Sequence, residues 1–425
     1  TRLPERLTPP INIVPEQNKN VRRAAVSALR AWAKGHDYAD TLVERHATRN
    51  HLSSSDRGLL NAILLGVLRN RRLLDHWINL LRKGKLDHET RDILRVGICQ
   101  LLILGIADHA AVNETVNCAR APIRGLINAV LRRAIAARKR FAKDLGDLNP
   151  AVRFSHPDWL YKRWRKEFGV DAADTLMAWN SDPAPTFLRL NPLRPIEGDA
   201  PGTPLEDYPG FFKIEGSIPQ NLLDGGHAYI QDPATTHAVE LLAPRPGETI
   251  LDACAAPGGK AALIATAMDN EGHLLCTDKN EKRLPRLGDN LSKLGIEISA
   301  TASFDWTQPA PDEWQRKFNA ILLDVPCSNT GVLRRRVDAR WRLTPEQIEE
   351  LTRIQHRILQ NALPCLAPGG RIVYSTCSIE SAENDQQVQN FLSEKPAMEV
   401  RASHQSLPFR EGTDGAYAAA IHFSP

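Results

Sequence analysis

The chain has 425 residues, 42% of them hydrophobic and 24% charged, with seven cysteines and a formal net charge of +4. That length suggests two or three domains. The composition allows full cores and excludes collagen-like, disordered and disulfide-dense classes. No apolar run approaches the roughly 18 residues of a membrane helix, and the N-terminus shows no signal-peptide core. An odd cysteine count without a Cys-x-x-Cys points to a reducing, cytoplasmic compartment and away from a zinc cage, so no metal is expected.

The small net charge hides an asymmetry. Residues 1–150 hold 26 Lys or Arg against 14 Asp or Glu, net +12, and the remainder holds 28 against 36, net −8. A basic end on an acidic body suggests an anionic partner, nucleic acid first; solvated helix faces explain the charge equally well. Residues 1–18 contain four prolines and are expected to be a flexible leader. Over 19–145, VRRAAVSALRAWA, RGLLNAILLGVLRNRRLLDHWINLL and ETRDILRVGICQLLILGI place apolar residues three and four apart. This predicts an all-helical domain of about five to seven helices, with caps among Ser53–Asp56. Arg69, Arg71 and Arg72 form one basic group; Arg132, Arg133, Arg138, Lys139 and Arg140 crowd a second. Guanidinium forks suit phosphates.

Residues 146–225 read as a small α+β linker domain, with HPDWLYKRWRKEF and AADTLMAWN as helices and PTFLRLNPL as a strand. From 226 to 425, strands ETILDACA, HLLCTD, EISATASFD, FNAILLDVP and GRIVYSTC alternate with helices, which argues a parallel, doubly wound α/β sheet. Pro285 in the second of these helices requires a start or a kink there. No internal repeat is present.

The turn Cys254-Ala255-Ala256-Pro257-Gly258-Gly259-Lys260 follows the first strand, where such sheets bind ligands. The glycines allow close backbone approach, and the next helix offers free N–H groups to an anion. Asp278, Asp305 and Asp324 end later strands, as a nucleoside cofactor requires, although any one of them also fits a helix cap. The dinucleotide fingerprint Gly-x-Gly-x-x-Gly is absent, which disfavours an oxidoreductase. Cys327 in LLDVPCSNTG and Cys377 in YSTCS stand 50 residues apart at two further strand ends, among Pro, Ser, Thr and Asn. Cys99, Cys118, Cys276 and Cys365 sit in apolar stretches and read as small core residues, and Cys254 as structural. Two thiols beside an acid suit covalent catalysis on a pyrimidine. A thiolate adding at C6 makes C5 nucleophilic, an acid steadies N3, and the C5 proton must leave before the thiolate is expelled. Which thiol attacks stays open on spacing alone.

CAAPGGK, the strand-end aspartates, LLDVPCSNTG and YSTCS followed by Glu383-Asn384 resemble the RNA cytosine-5 methyltransferases of the NOL1/NOP2/Sun family. HAAVNETV (109–116) and GLINAVLRR (125–133) resemble a NusB-type RNA-binding domain, and the combination is similar to bacterial enzymes of small-subunit (16S) rRNA. The resemblance covers about residues 20–425. It implies three parts: an all-α NusB-like domain, an α+β linker and a Rossmann-like class I methyltransferase domain that uses S-adenosyl-L-methionine. It implies Cys377 as nucleophile and Cys327 as the residue that assists release. The loop 254–260 with Asp278, Asp305 and Asp324 would hold the cofactor; Asp278 takes the ribose, Asp305 the adenine end, and Asp324 lies by the methyl donor and target base. Lys260 would fix the loop or neighbouring carboxylates. Asn329, where a small residue is usual, Phe304 before Asp305, and Ala416-Tyr417, where an aromatic pair is common, depart from the family pattern.

The expected partner is 16S rRNA, free or in an assembling subunit, with no membrane and no DNA, and the chain is expected to be a monomer. Arg334, Arg335, Arg336 and Arg340 are candidates to grip phosphates near the pocket. The alternatives are a methyltransferase of tRNA or another RNA, and a non-catalytic RNA-binding factor, which would leave the two strand-end cysteines unexplained.

Overall fold

The computed structural model describes residues 21–424; the leader expected over 1–18 lies outside them. The chain forms two compact units. One runs to Pro183 and takes in Leu333–Arg342; the other comprises Ala184–Val332 and the chain from Leu343 onward.

In the first unit, seven helices span Val21–Ala33, Ala39–Arg49, Ser54–Arg69, Arg71–Leu81, His88–Ile98, Asp108–Cys118 and Ala121–Asp144, as their periodicity predicts. Leu60, Ile63, Leu64, Ile93, Leu94, Ile127 and Leu131 share one core, and the Ser53 side chain caps its helix by accepting from the Asp56 amide. Gly97 lets two helices close: a Cβ there would stand 2.7 Å from Leu131. Helices Asp158–Phe168 and Val170–Ser181 follow.

Leu333–Arg342 is built into this unit. Val337 joins the same core. Asp338 accepts from the Ala39 amide at 2.9 Å, and the Trp341 indole donates to the Leu68 carbonyl at 2.8 Å. Arg340 is fully buried and donates to the carbonyls of Asn180 (2.8 Å) and Leu333 (3.0 Å). Arg334 donates to the Pro183 carbonyl at 3.1 Å and lies 4.0 Å from the centre of the Trp179 ring. These two arginines are therefore fasteners of the helical unit, not the phosphate grips their position suggests.

The same correction applies to Arg69, Arg71 and Arg72. Burial lowers the pKa of Arg69 to about 10. Arg71 packs over Trp32 and Trp341. Arg72 pairs with Asp158 at 2.7 Å and donates to the His156 carbonyl. A sequence cannot tell a buried guanidinium from a solvated one, because the long stem packs equally well in either setting. Arg132, Arg133, Arg138, Lys139, Arg140 and Arg336 are exposed.

The second unit carries two sheets. Strands β1 (Thr186–Leu190), β2 (Thr203–Pro204), β3 (Phe211–Ile214) and β4 (Ala228–Ile230) form an antiparallel sheet ordered β2-β3-β1-β4. Strands β5 (Thr249–Asp252), β6 (His273–Asp278), β7 (Ser299–Ser303), β8 (Phe318–Asp324), β9 (Leu366–Thr376), β10 (Met398–Ser406) and β11 (Ala416–Phe423) form the second, ordered β10-β11-β9-β8-β5-β6-β7. Strands β9, β8, β5, β6 and β7 run parallel, and β10 and β11 pair antiparallel at one edge. The sheet is thus mixed rather than wholly parallel. The edge pair escapes sequence reading because β10 alternates poorly and is largely exposed, while β11 is alanine-rich.

Strands β5 and β8 are buried on both faces, with Ile250 and Leu322 in one core and Leu251, Ile321 and Leu323 in the other. Such continuous apolar runs mark the centre of a parallel sheet. Chain order reverses between β5 and β8, which opens a crevice at their carboxyl ends. Pro285 sits in the first turn of the helix Leu284–Lys293, where its missing N–H costs nothing.

Candidate active site

The loop after β5 is tied down by its own backbone. The Ala255 amide donates to Thr277 at 2.8 Å, the Gly258 amide to Ala255 at 2.7 Å, and Asn290 donates to the Pro257 carbonyl at 2.8 Å. Gly258 has φ +107°, a conformation that side chains resist, and a Cβ there would meet Leu287 at 3.0 Å. Helix Gly259–Ala267 begins directly after it, with its first amides open to a carboxylate. Burial, then neighbouring carboxylates, pushes the Cys254 thiol well up.

Asp252 ends β5 beneath this loop. It is fully buried and neither oxygen has a hydrogen-bond partner. Burial, then the nearby Asp324, raises its pKa to about 7. An orphaned buried carboxylate is rare in a folded protein and fits a site completed by a cationic ligand. Asp278 accepts from the Asn280 amide at 2.9 Å and pairs with Arg283 at 2.9 Å; each of its oxygens keeps a second lone pair. Asp305 pairs with Lys279 at 2.8 Å and accepts from the Thr307 amide and hydroxyl; those bonds outweigh partial burial and hold it below its ordinary pKa.

Lys260 meets Asp324 at 2.8 Å across the β5–β8 boundary. Burial works against the Lys260 charge, but Asp324 more than offsets it and the pKa rises. This half-buried ion pair sets Lys260 against one of the strand-end carboxylates.

The two strand-end cysteines converge. Cys327 Sγ lies 3.2 Å from Cys377 Sγ, and the Cys377 thiol donates to Asn329 Oδ1 at 3.3 Å. The bond to Cys377, reinforced by burial, raises the Cys327 pKa well above its ordinary value. Cys377, Thr376 and Lys260 line one recess together with His237, His404 and Ala416. Asn329 has φ +59° and its amide donates to the Cys327 carbonyl at 2.8 Å. Asparagine tolerates the left-handed region better than most residues, so this departure from the small-residue pattern is absorbed by the loop.

Sequence reasoning did not single out Asp252 or the polar residues behind the thiols. Glu383 is fully buried and accepts from the Ser328 amide (2.9 Å), the Ser328 hydroxyl, the Ser378 hydroxyl (2.6 Å) and Gln355 Nε2 (3.0 Å). Asn384 accepts from the Thr376 hydroxyl at 2.6 Å and donates to the Ser378 carbonyl at 2.9 Å. The available clue was the Glu-Asn pair six residues past Cys377. Elsewhere, donor atoms of His237, His404 and Glu411 lie within 4.8 Å of one another. The two imidazoles lie with centroids 3.8 Å apart and planes tilted by 33°.

The chain was compared with known proteins. The family model "16S rRNA methyltransferase RsmB/F" matches residues 239–421, a NusB family model residues 19–136, and an RsmF/B-like ferredoxin-like domain model residues 156–196. Ribosomal RNA small subunit methyltransferase B of Salmonella arizonae is 34% identical over 398 residues, spanning 87% of this chain and 91% of that protein. The chain belongs to the ribosomal RNA small subunit methyltransferase B family. Its Escherichia coli relative is 33% identical, over 96% of this chain and 99% of that one. As a member of this family the chain is an S-adenosylmethionine-dependent methyltransferase, and the orphaned Asp252, the glycine cradle and the open helix terminus fit that cofactor. Among solved structures, the crystal structure of PH0851 shares the fold, with TM-score 0.77 and 22% identity over 96% of this chain and 99% of that one. NSun6 from Pyrococcus horikoshii with SFG gives TM-score 0.51 at 19% identity, over 63% of this chain and 98% of that one.

Proposed function

We propose that the protein methylates C5 of a cytosine in 16S rRNA through a covalent adduct at C6. The observation that carries this reading is the pair of thiols 3.2 Å apart, in a unit where Lys260 and Asp324 meet at 2.8 Å at the carboxyl ends of the parallel strands. Bound S-adenosylmethionine supplies an electrophilic methyl group. Cys254 to Lys260, Asp278, Asp305 and Asp324 are the residues assigned to hold it.

Cys377 adds through Sγ to C6 of the target ring, which makes C5 nucleophilic toward that methyl. Asp324, fixed by Lys260, faces the N3 and amino edge. The C5 proton then leaves and the Cys377–C6 bond breaks, returning a thiolate. Water at the recess carries off the C5 proton, and Cys327, 3.2 Å from the Cys377 sulfur, assists this release. The recess lies at a strand end, so the cytosine must leave its stack to enter it.

The relatives' names specify small-subunit rRNA, and the exposed Arg132, Arg138, Lys139 and Arg140 supply phosphate contacts that carry no sequence information. We assign RNA holding to residues 19–145 and to the linker at 146–225, catalysis to 226–425, and the cytoplasm as the compartment. The test is nucleoside mass spectrometry of unmodified 16S rRNA incubated with enzyme and cofactor. 5-Methylcytidine at one site, lost in Cys377→Ala, is the expected result; methyl on another base or on a ribose overturns the reading.

A further inference from the structure

Strands β8 and β9 are held in register as far as Asp324 opposite Ser375, with one more bond from the Val325 amide to Ser375. Beyond that point the sheet no longer sets the distance between the two chains. Cys327 and Cys377 both lie beyond it. One backbone bond, from the Gly331 amide to the Cys377 carbonyl at 3.1 Å, joins the two loops there, and side chains must do the rest.

Glu383 occupies that place. Its Oε2 accepts from Ser378 Oγ and Ser328 Oγ, and its Oε1 from the Ser328 amide and Gln355 Nε2. Ser328 directly follows Cys327, and Ser378 directly follows Cys377. Gln355 Nε2 also donates to the Pro326 carbonyl at 2.9 Å, on the other side of Cys327. Asn384, the next residue, clasps Thr376 and Ser378, one on each side of Cys377. A fully buried carboxylate is costly unless its lone pairs are filled, and here three neutral donors from the two loops and one from the helix Pro345–Ala362 fill them. An amide in its place keeps a single acceptor oxygen with two lone pairs, so it cannot take all four donors that the two carboxylate oxygens receive.

The geometry points to Glu383 as a positioning residue that sets the spacing of the two thiols, and with it the rate at which the covalent adduct is released. This rests on the covalent reading above. Glu383 touches no reacting atom and acts only through Ser328 and Ser378. A displacement of about 1 Å in a reacting group can cost on the order of a hundredfold. Misplacing Cys327 should slow release more than addition, because addition needs only Cys377.

The experiment compares wild type, Cys327→Ala, Glu383→Gln, Ser328→Ala and Ser378→Ala on 16S rRNA, with protein–RNA adduct read on denaturing gels. Turnover, cofactor affinity by calorimetry and melting temperature are read in parallel. Glu383→Gln should lower turnover about tenfold to a hundredfold and accumulate adduct as Cys327→Ala does, with cofactor affinity within about twofold of wild type. Ser328→Ala, which removes one hydroxyl beside Cys327, should do the same more mildly and stands in if Glu383→Gln fails to fold. Ser378→Ala should slow adduct formation instead. Adduct in Cys327→Ala but none in Glu383→Gln or Ser328→Ala would overturn the positioning role alone. Turnover, affinity and melting falling together without adduct would reduce Glu383 to a structural prop. No adduct in any variant, Cys327→Ala included, would overturn the covalent reading and this inference with it.

Discussion

Asp252 makes a quantitative prediction. Its carboxyl is fully buried without a hydrogen-bond partner, and its pKa is raised from 3.8 to about 7, by burial first and by Asp324 second. Between those two values the folded protein keeps a proton that the unfolded chain has released. Stability from this group is therefore fully present below pH 3.8 and is lost as pH rises toward and through 7. Three units correspond to about 4 kcal/mol in all, with the opposing pull of neighbouring Lys260 already included. Asp252→Asn keeps the shape and removes the titration. Between pH 5 and pH 8 the wild type should lose about 3 kcal/mol more unfolding free energy than the variant. Urea unfolding of both proteins at the two pH values measures this, and titrating groups that do not interact with Asp252 cancel in the difference. The cost of burying the new amide also cancels, because it does not depend on pH. Unfolding free energies that differ by the same amount at both pH values would refute the claim that Asp252 ionises at a cost in the cofactor-free protein.

Further outcomes follow from single contacts. Hydrogen peroxide should join Cys327 and Cys377, whose sulfurs are 3.2 Å apart; the two thiol hydrogens leave as water with the peroxide oxygens. Methyl transfer should be lost and then restored by dithiothreitol, with the linked peptide seen in a non-reducing digest. Gly331→Ala would place a Cβ 2.2 Å from the Gly415 carbonyl oxygen and 2.8 Å from that of Cys377, so it should cost about 1–3 kcal/mol in unfolding measurements and at least tenfold in turnover. Arg340→Met should destabilise the helical unit by about 3 kcal/mol, because the carbonyls of Asn180 and Leu333 lose their donor; hydrogen exchange at Val170–Ser181 would report it.

What could be read in the sequence divides along a physical line. The loop Cys254–Lys260, the strand-end Asp278, Asp305 and Asp324, and the two cysteines announce themselves by local pattern, because strand ends and tight turns each demand particular residue types over a few positions. The helices of the first unit announce themselves by period. Arg340 and Glu383 do neither, since their meaning lies in partners far along the chain. Arg340 reads as a solvated cation until Asn180, 160 residues away, supplies the carbonyl that receives it. Glu383 is only part of a motif, with no role of its own, until Ser328, 55 residues away, closes on it. Residues 333–342 make the point most sharply. They follow the Cys327 loop within a few residues, yet their side chains belong to the helical unit, with Asp338 capping the Ala39 helix and Val337 in its core. The chain that carries Cys327 is itself anchored by the buried Glu383 carboxylate. A thiol past the last ladder bond depends on such side-chain bonds to hold it within the ångström that catalysis tolerates.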